Sequence, residues 1–186
     1  MIYFAHINSK SILTGIGNAP IIKDEYGSEN VQNIEVTEDI YNEQEKYIYK
    51  DGEIIIDPDY DSKQLQKAKQ EKVQLNDTAR DEALYGGVTY QDVLFDSDTD
   101  QKINLLATVG MMSDSDTITW YGMDNQGLLC TKQDLEAIGQ LIIQLHSYCW
   151  NMNAYIKEQI QEAQTIEEVE AINIDYTMPE KEKQDE

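Results

Sequence analysis

The chain has 186 residues, a length that favours one or two domains, and 40% of them are hydrophobic, which is enough for a modest core. Its 36 acidic and 14 basic residues give a formal net charge of −22. That charge argues against binding to nucleic acid or to an anionic membrane, because both need basic surfaces.

The first ten residues show no basic region ahead of an apolar core, so we expect no secretory signal. No apolar run approaches the ~18–20 residues that a membrane-spanning helix needs. Two cysteines, Cys130 and Cys149, are too few for a disulfide framework. We therefore expect an acidic protein made in a reducing cytoplasm.

Charge divides the chain into segments. Residues 1–60 carry a net −8, residues 61–85 are neutral, and residues 86–176 carry a net −12. We predict an α+β protein with a small N-terminal antiparallel β module at 1–60 and a polar linker helix at 61–85. A C-terminal α+β domain with two hairpins and a long helix follows at 86–176, and a disordered tail at 177–186.

Short strands are predicted in the first segment. They lie at residues 2–6, 11–16, 33–36, 46–49 and 53–56. Thr37 is placed to cap a short helix. Asp51-Gly52 predicts a tight hairpin between the last two strands, because this pair tolerates positive φ angles.

Residues 61–84 predict a helix, since good helix formers dominate and glycine and proline are absent. Its apolar residues are sparse, so we expect it to be poorly suited to burial within a monomer. It suits a connector or a weakly self-associating helix. Leu65, Ala68, Leu75 and Ala79 nearly follow heptad spacing, but Lys72 interrupts the seam.

The second acidic segment predicts two hairpins and three helices. The hairpin strands lie at 88–90, 93–95, 117–121 and 128–130. Asp98 or Thr99 is expected to start a helix through about Met112, with Ile103, Leu106, Val109 and Met111 partly on one face. Thr131 is expected to cap a long helix through Ala163, and Thr165 a short last helix by a capping box.

The long helix carries an apolar stripe with the spacing of a core-facing helix. The stripe comprises Leu135, Ile138, Leu141, Ile142, Leu145, Cys149, Met152, Ile156 and Ile160. We predict that Leu141 and Leu145 are buried against the strands and the helix near 103–112.

Alternate aspartates at Asp96, Asp98 and Asp100 open a calcium-loop pattern. Gln101 and Ala107 stand where that loop needs glycine and glutamate. We therefore favour a strand end followed by a helix cap, and residues 113–116 pose the same choice. A metal-binding role stays open as the alternative.

Other chemistry is weakly indicated. His146 and Cys149 lie three residues apart on one predicted helix, which makes a poor nucleophile pocket, and His6 is the only other histidine. No phosphate-binding glycine motif is present. We expect no catalytic residue, no cofactor and no metal ligand. The twelve tyrosines, with Trp120 and Trp150, suit either an interaction surface or ordinary strand packing.

A set of residues between about 80 and 174 follows a recognisable order of motifs: Arg80, Glu82, Gly87-Val88, Tyr90, Phe95, Asp96, Gln101, Ile103, Thr119-Trp120, Leu128, Leu135, Ile138, Ile160, Ala163 and residues 165–169. This order resembles an uncharacterised domain at the C-terminal end of phage tail-fibre and baseplate-associated proteins. Gln91 and Asp100 depart from the glycine and serine that are usual in that domain.

The first 60 residues also resemble phage tail accessory and fibre-assembly proteins. The shared features are an N-terminal strand, Gly15-Ile16, residues 34–38, Tyr41 and a hairpin ending at Asp57-Pro58. The resemblance implies a virion or prophage-encoded particle and carries no catalytic residues.

Three hypotheses follow. The first is a non-enzymatic structural component of a bacteriophage tail or tail-like particle, at the baseplate or tail-fibre attachment, made in the host cytoplasm. Its expected partners are other tail, baseplate or fibre proteins and copies of itself, for instance a trimer, with no nucleic acid and no membrane. The second is a tail-fibre assembly chaperone, and the third an enzyme or metal-binding module that uses the aspartates.

Overall fold

The computed structural model describes residues 1–24 and 26–179, and its helices and antiparallel sheets confirm the α+β class. The chain divides into two compact units, Met1–Gln66 (unit 1) and a second that begins at Lys67 (unit 2). This division falls inside the predicted linker helix rather than at either of its ends.

Unit 1 is built on a three-stranded antiparallel sheet. Its strands are β1 (Tyr3–Ile7), β2 (Leu13–Gly17) and β3 (Gln32–Val36), in the order β2-β1-β3. Tyr3, Ala5 and Ile16 form the buried centre of this unit. The three strands confirm the predicted ones to within two residues at each end.

A short helix and a hairpin complete unit 1. They are α1 (Glu38–Asn42), a 3-10 turn (Gln44–Lys46), β4 (Tyr47–Lys50) and β5 (Glu53–Ile56). Asp51 and Gly52 have φ angles of 54° and 94°, which confirms the predicted turn. Thr37 is the N-cap residue of a short helix, as predicted, but its side chain accepts no capping hydrogen bond.

The predicted polar helix is α2 (Tyr60–Tyr85), which begins in unit 1 and ends in unit 2. Our expectation of poor burial was wrong for its second part. Val73, Ala79, Ala83 and Leu84 pack against the core of unit 2, and Asn76 is fully buried. Lys69 and Lys72 donate hydrogen bonds to the backbone oxygens of Gln161 and Glu170, at 2.7 and 3.0 Å. The lysine bonds to carbonyls at the ends of α4 and α5 therefore add to these few apolar contacts in holding α2 on unit 2.

Unit 2 continues with the predicted hairpins and helices. They are β6 (Val88–Tyr90), β7 (Val93–Phe95), α3 (Thr99–Met111), β8 (Thr117–Tyr121), β9 (Gly127–Thr131), α4 (Lys132–Glu162) and α5 (Ile166–Ala171). Both hairpins are confirmed, and α4 contacts α3, β6 and β9. Thr131 and Thr165 form the side-chain and backbone bonds of two capping boxes, as expected.

The α4 stripe is confirmed with two shifts. Leu145 is buried as predicted, but Leu141 and Met152 are only half-buried, and Asn153 is buried beside the position of Met152. The buried line advances by three or four residues each time, and Leu141 and Met152 stand one residue, or ~100° of rotation, away from it. The buried residues are Leu135, Ile138, Ile142, Leu145, Cys149, Asn153, Ile156 and Ile160.

The burial pattern of α3 was predicted less well than that of α4. Leu105 is its buried residue, whereas Ile103, Leu106 and Met111 are 60%, 74% and 86% exposed. The predicted tail at 177–186 lies mostly outside the described residues. Tyr176, just before it, is buried in unit 2.

Candidate functional site

Asp96, Asp98 and Asp100 lie where β7 gives way to α3. The Asp98 carboxylate accepts a 2.7 Å hydrogen bond from the backbone amide of Gln101 and so caps α3. The Asp96 carboxylate accepts a 3.1 Å bond from the amide of Asp98. Two of the three aspartates therefore serve the turn and the helix start.

The second aspartate pattern, residues 113–116, forms a turn between α3 and β8. Asp116 accepts a 2.8 Å hydrogen bond from the Ser113 amide, and Asp114 lies 3.7 Å from the Lys132 ammonium. Within residues 1–24 and 26–179, no group of three or more histidine, cysteine, aspartate or glutamate side chains is placed to hold a metal ion.

The two histidines bond backbone oxygens. Nε2 of His146 lies 3.0 Å from the backbone carbonyl oxygen of Ser97, and Nε2 of His6 lies 2.9 Å from the backbone carbonyl oxygen of Ala19. His146 thereby joins α4 to the segment just before α3, and the Ser97 hydroxyl donates to the Leu84 oxygen of α2. These bonds hold the loop that starts α3.

Cys130 and Cys149 are free thiols with no exposed surface. Burial raises the pKa of both thiols above the ordinary value. A raised pKa disfavours the thiolate, which is the reactive form. Both cysteines belong to the core of unit 2, where they act as small apolar side chains.

A buried polar network joins α2, α4 and the segment after α5. The Tyr176 hydroxyl donates a 2.7 Å hydrogen bond to Oδ1 of Asn76. Nδ2 of Asn76 donates to the backbone oxygen of Asn153 at 3.2 Å, and Nδ2 of Asn153 donates to Asp77 at 2.9 Å. The network fixes the segment after α5, which contains Tyr176, against α2.

The outer side of this network is charged. Asp77 lies 2.7 Å from the Lys157 ammonium and 3.1 Å from the Arg80 guanidinium, which also stacks on the Trp150 ring at 4.5 Å. Burial alone would raise the pKa of Asp77, but hydrogen bonds from Lys157 and Asn153 and the nearby positive charges hold it below its ordinary value. Arg80 thus anchors α2 on α4, which is a structural task.

An open polar cleft of about 490 Å³ lies beside Trp150. Its lining includes Asp81, Asp98 and His146. Asp81 pairs with Arg80, Asp98 caps α3, and His146 bonds Ser97. These three lining residues therefore already have structural partners.

The surface of α3 carries a second apolar stripe. Residues 103–112 contain no charged side chain, although 27% of the chain is charged. Leu105 and Val109 pack inwards. The opposite stripe is exposed, and together with Ile143 of α4, which is 65% exposed, we call it the α3 face; it comprises Ile103, Leu106, Ala107, Gly110 and Met111.

A groove between α3 and α4 borders the α3 face and shares Leu106 and Ile143 with it. It has a volume of about 390 Å³, and its apolar lining includes Leu105, Leu106, Val109, Ile142 and Ile143. Gly139 also lines the groove, and a Cβ added there would lie 2.9 Å from the Leu105 side chain. An apolar helix with only one face covered is typical of a surface that binds a partner.

The sequence did not predict the buried polar network around Asn76 or the exposed α3 face. Asn76 and Asn153 were available as polar residues at core-facing helical positions, but their partners are distant in the chain. The α3 stripe was visible as an uncharged run, but the sequence predicted only that Ile103, Leu106, Val109 and Met111 lie partly on one face.

Unit 2 is thus a small α+β domain whose long helix supports two hairpins and the shorter helices. The sequence pattern of the domain of unknown function DUF4376 matches residues 67–177, and the chain belongs to that family. The match begins at the residue where unit 2 begins. Comparison with curated proteins and with solved structures gave no match. Among the residues described, no helix is long and apolar enough to cross a membrane.

Proposed function

We propose that the protein is a structural component of a bacteriophage tail or phage-tail-like particle, at the baseplate or the tail-fibre attachment. It acts through contacts with other tail, baseplate or fibre proteins. The motif order from Arg80 to the Thr165 capping box supports this proposal through its resemblance to phage tail proteins.

The single observation that carries the proposal is the α3 face. Leu106 and Met111 are more than 70% exposed on a helix with no charged residue after Lys102. Leaving such side chains in water forgoes ~25 cal/mol for each Å² that a partner would cover. A protein that acts through assembly contacts accounts for this surface, and a self-contained enzyme does not require it.

Mass spectrometry of particles purified from an induced source strain tests the proposal. We expect the protein in the particles at a constant ratio to other tail proteins. A strain that encodes Leu106→Glu should yield particles that contain less of this protein. Leu129→Glu serves as the control, because Leu129 is 67% exposed on β9 and lies outside the α3 face.

The alternative is a tail-fibre assembly chaperone, which would share the need for an exposed apolar face. That function predicts abundant protein in the lysate, none in purified particles, and particles without fibres when the gene is deleted. This outcome would contradict a structural role in the virion.

A further inference from the structure

We propose that the α3 face binds an amphipathic helix of a partner protein, and that the partner helix carries basic residues beside its apolar stripe. This inference rests on the proposed function, because it names the chemistry of the partner that the assembly role requires.

The shape of the face favours a helix as its occupant. α3 has 13 residues, which is about 20 Å of helix, and the groove runs between it and α4. Leu106 and Ile143 project on the two sides of this groove. A helix with apolar residues at i, i+3, i+4 and i+7 fits between two such ridges.

The charge around the face favours a basic partner. Residues 86–176 contain 15 acids and three bases. Lys132 already lies beside Asp114, and Lys157 is paired with Asp77. The third base, Lys102, lines the groove together with Glu136, so the groove itself carries one charge of each sign and the surplus of acids lies around it. Acids stand at both ends of α3 and in the groove; they are Asp98, Asp100, Asp114, Asp116 and Glu136.

The same charge disfavours a second copy as the occupant. Two copies that met through this face would bring two bodies of net −12 together. A basic helix is attracted by the same field, which speeds its encounter and favours it over acidic competitors.

A peptide titration of the full-length protein tests the inference. The probe is a synthetic peptide of about 18 residues, ~27 Å as a helix, with leucines at i, i+3, i+4 and i+7 and lysines elsewhere. A scrambled peptide of identical composition and an analogue with glutamate in place of lysine serve as controls. Fluorescence anisotropy at fixed salt gives the affinities.

We expect the basic amphipathic peptide to bind and the two controls to bind at least about tenfold more weakly. Leu106→Glu and Ile143→Glu should each weaken binding about tenfold or more, because each removes an apolar contact. Leu129→Glu makes the same change in charge outside the face and should leave the affinity unchanged. All three residues are exposed, so the variants should fold.

Equal affinity for the ordered and scrambled peptides, or equal binding by wild type and Leu106→Glu, would overturn the proposal. Absence of peptide binding would also overturn it. Sedimentation of the protein alone provides a further arm: a dimer that Leu106→Glu converts to a monomer would assign the face to a second copy instead. Since no particle is needed, failure here leaves the tail assignment to be judged by the particle mass spectrometry.

Discussion

The Tyr176 hydroxyl donates a hydrogen bond to Oδ1 of Asn76, at 2.7 Å and across 100 residues of sequence. Both side chains are buried, so neither can exchange this bond for water. The pair ties the segment after α5 to the middle of α2.

Tyr176→Phe should therefore destabilise the protein by about 1–3 kcal/mol, because it leaves a buried carboxamide oxygen with one partner fewer. Urea unfolding measures this change. Tyr121→Phe is the matched control, since Tyr121 is 60% exposed and its change should stay within about 0.5 kcal/mol. Equal effects of the two substitutions would show that the buried bond contributes nothing.

Leu145→Ala should cost about 2–5 kcal/mol of unfolding free energy, because Leu145 is buried in the core of unit 2 and the cavity will collapse only in part. Leu141→Ala should cost clearly less, about 1 kcal/mol, since Leu141 is only half-buried. Thermal or urea unfolding compares the two. A cost below about 0.5 kcal/mol for Leu145→Ala would show that this side of α4 is not core.

Gly87→Ala should be strongly destabilising. Gly87 has a φ of +78°, and a Cβ there would lie 2.4 Å from the Phe95 backbone oxygen, so the cost should reach about 1–3 kcal/mol or more. In Gly110→Ala the new Cβ meets no atom within 4 Å, and the variant should gain about 0.5–1 kcal/mol of helix stability. The prediction fails if both variants shift the unfolding midpoint in the same direction.

Asp98→Ala should cost about 1 kcal/mol through loss of the α3 cap. Asp100→Ala should cost less, about 0.3–1 kcal/mol, because Asp100 acts only through its charge in the first helical turn. Calorimetric titration with calcium should give no binding heat. Micromolar binding that Asp98→Asn abolishes would instead establish a calcium site.

Asp24 should make stability depend on pH in the acid range. Hydrogen bonds from Ser9, above all from its hydroxyl, and from the amides of Tyr26 and Ser28 lower the pKa of Asp24 from 3.8 to about 2. The unfolded chain therefore binds more protons between these values, so the contribution of Asp24 is complete above about pH 4 and is lost as the pH falls through about 2.

Urea unfolding of wild type and Asp24→Asn between pH 2 and pH 6 measures that contribution. The difference between the two proteins should grow with pH up to about 4 and then stay level. A constant difference at every pH would contradict the prediction.

The elements that the sequence predicted well are those with local causes. The Asp51-Gly52 turn, the caps at Asp98, Thr131 and Thr165, and the α4 stripe each depend on residues within one or two turns of chain. Such features are specified by short-range geometry and by one clear periodicity.

The features that it missed have distant or ambiguous causes. Periodicity could not choose a face on α3, because residues 103–112 are uncharged all round. The burial of Asn76 depends on Tyr176 and Asn153, whose proximity arises only from the tertiary fold. The docking of α2 likewise depends on lysine bonds to carbonyls more than 90 positions away.

The burial of the two cysteines has a practical consequence for thiol chemistry. Both lie in unit 2, Cys130 on β9 and Cys149 on α4, so a thiol reagent can label the chain only when that core opens. Labelling rates therefore report the free energy of opening of unit 2 and give no information about the opening of unit 1. With both tryptophans also in unit 2, a buried thiol placed in unit 1, for instance by Ala5→Cys at a fully buried position, would let the opening of the two units be timed separately in one molecule.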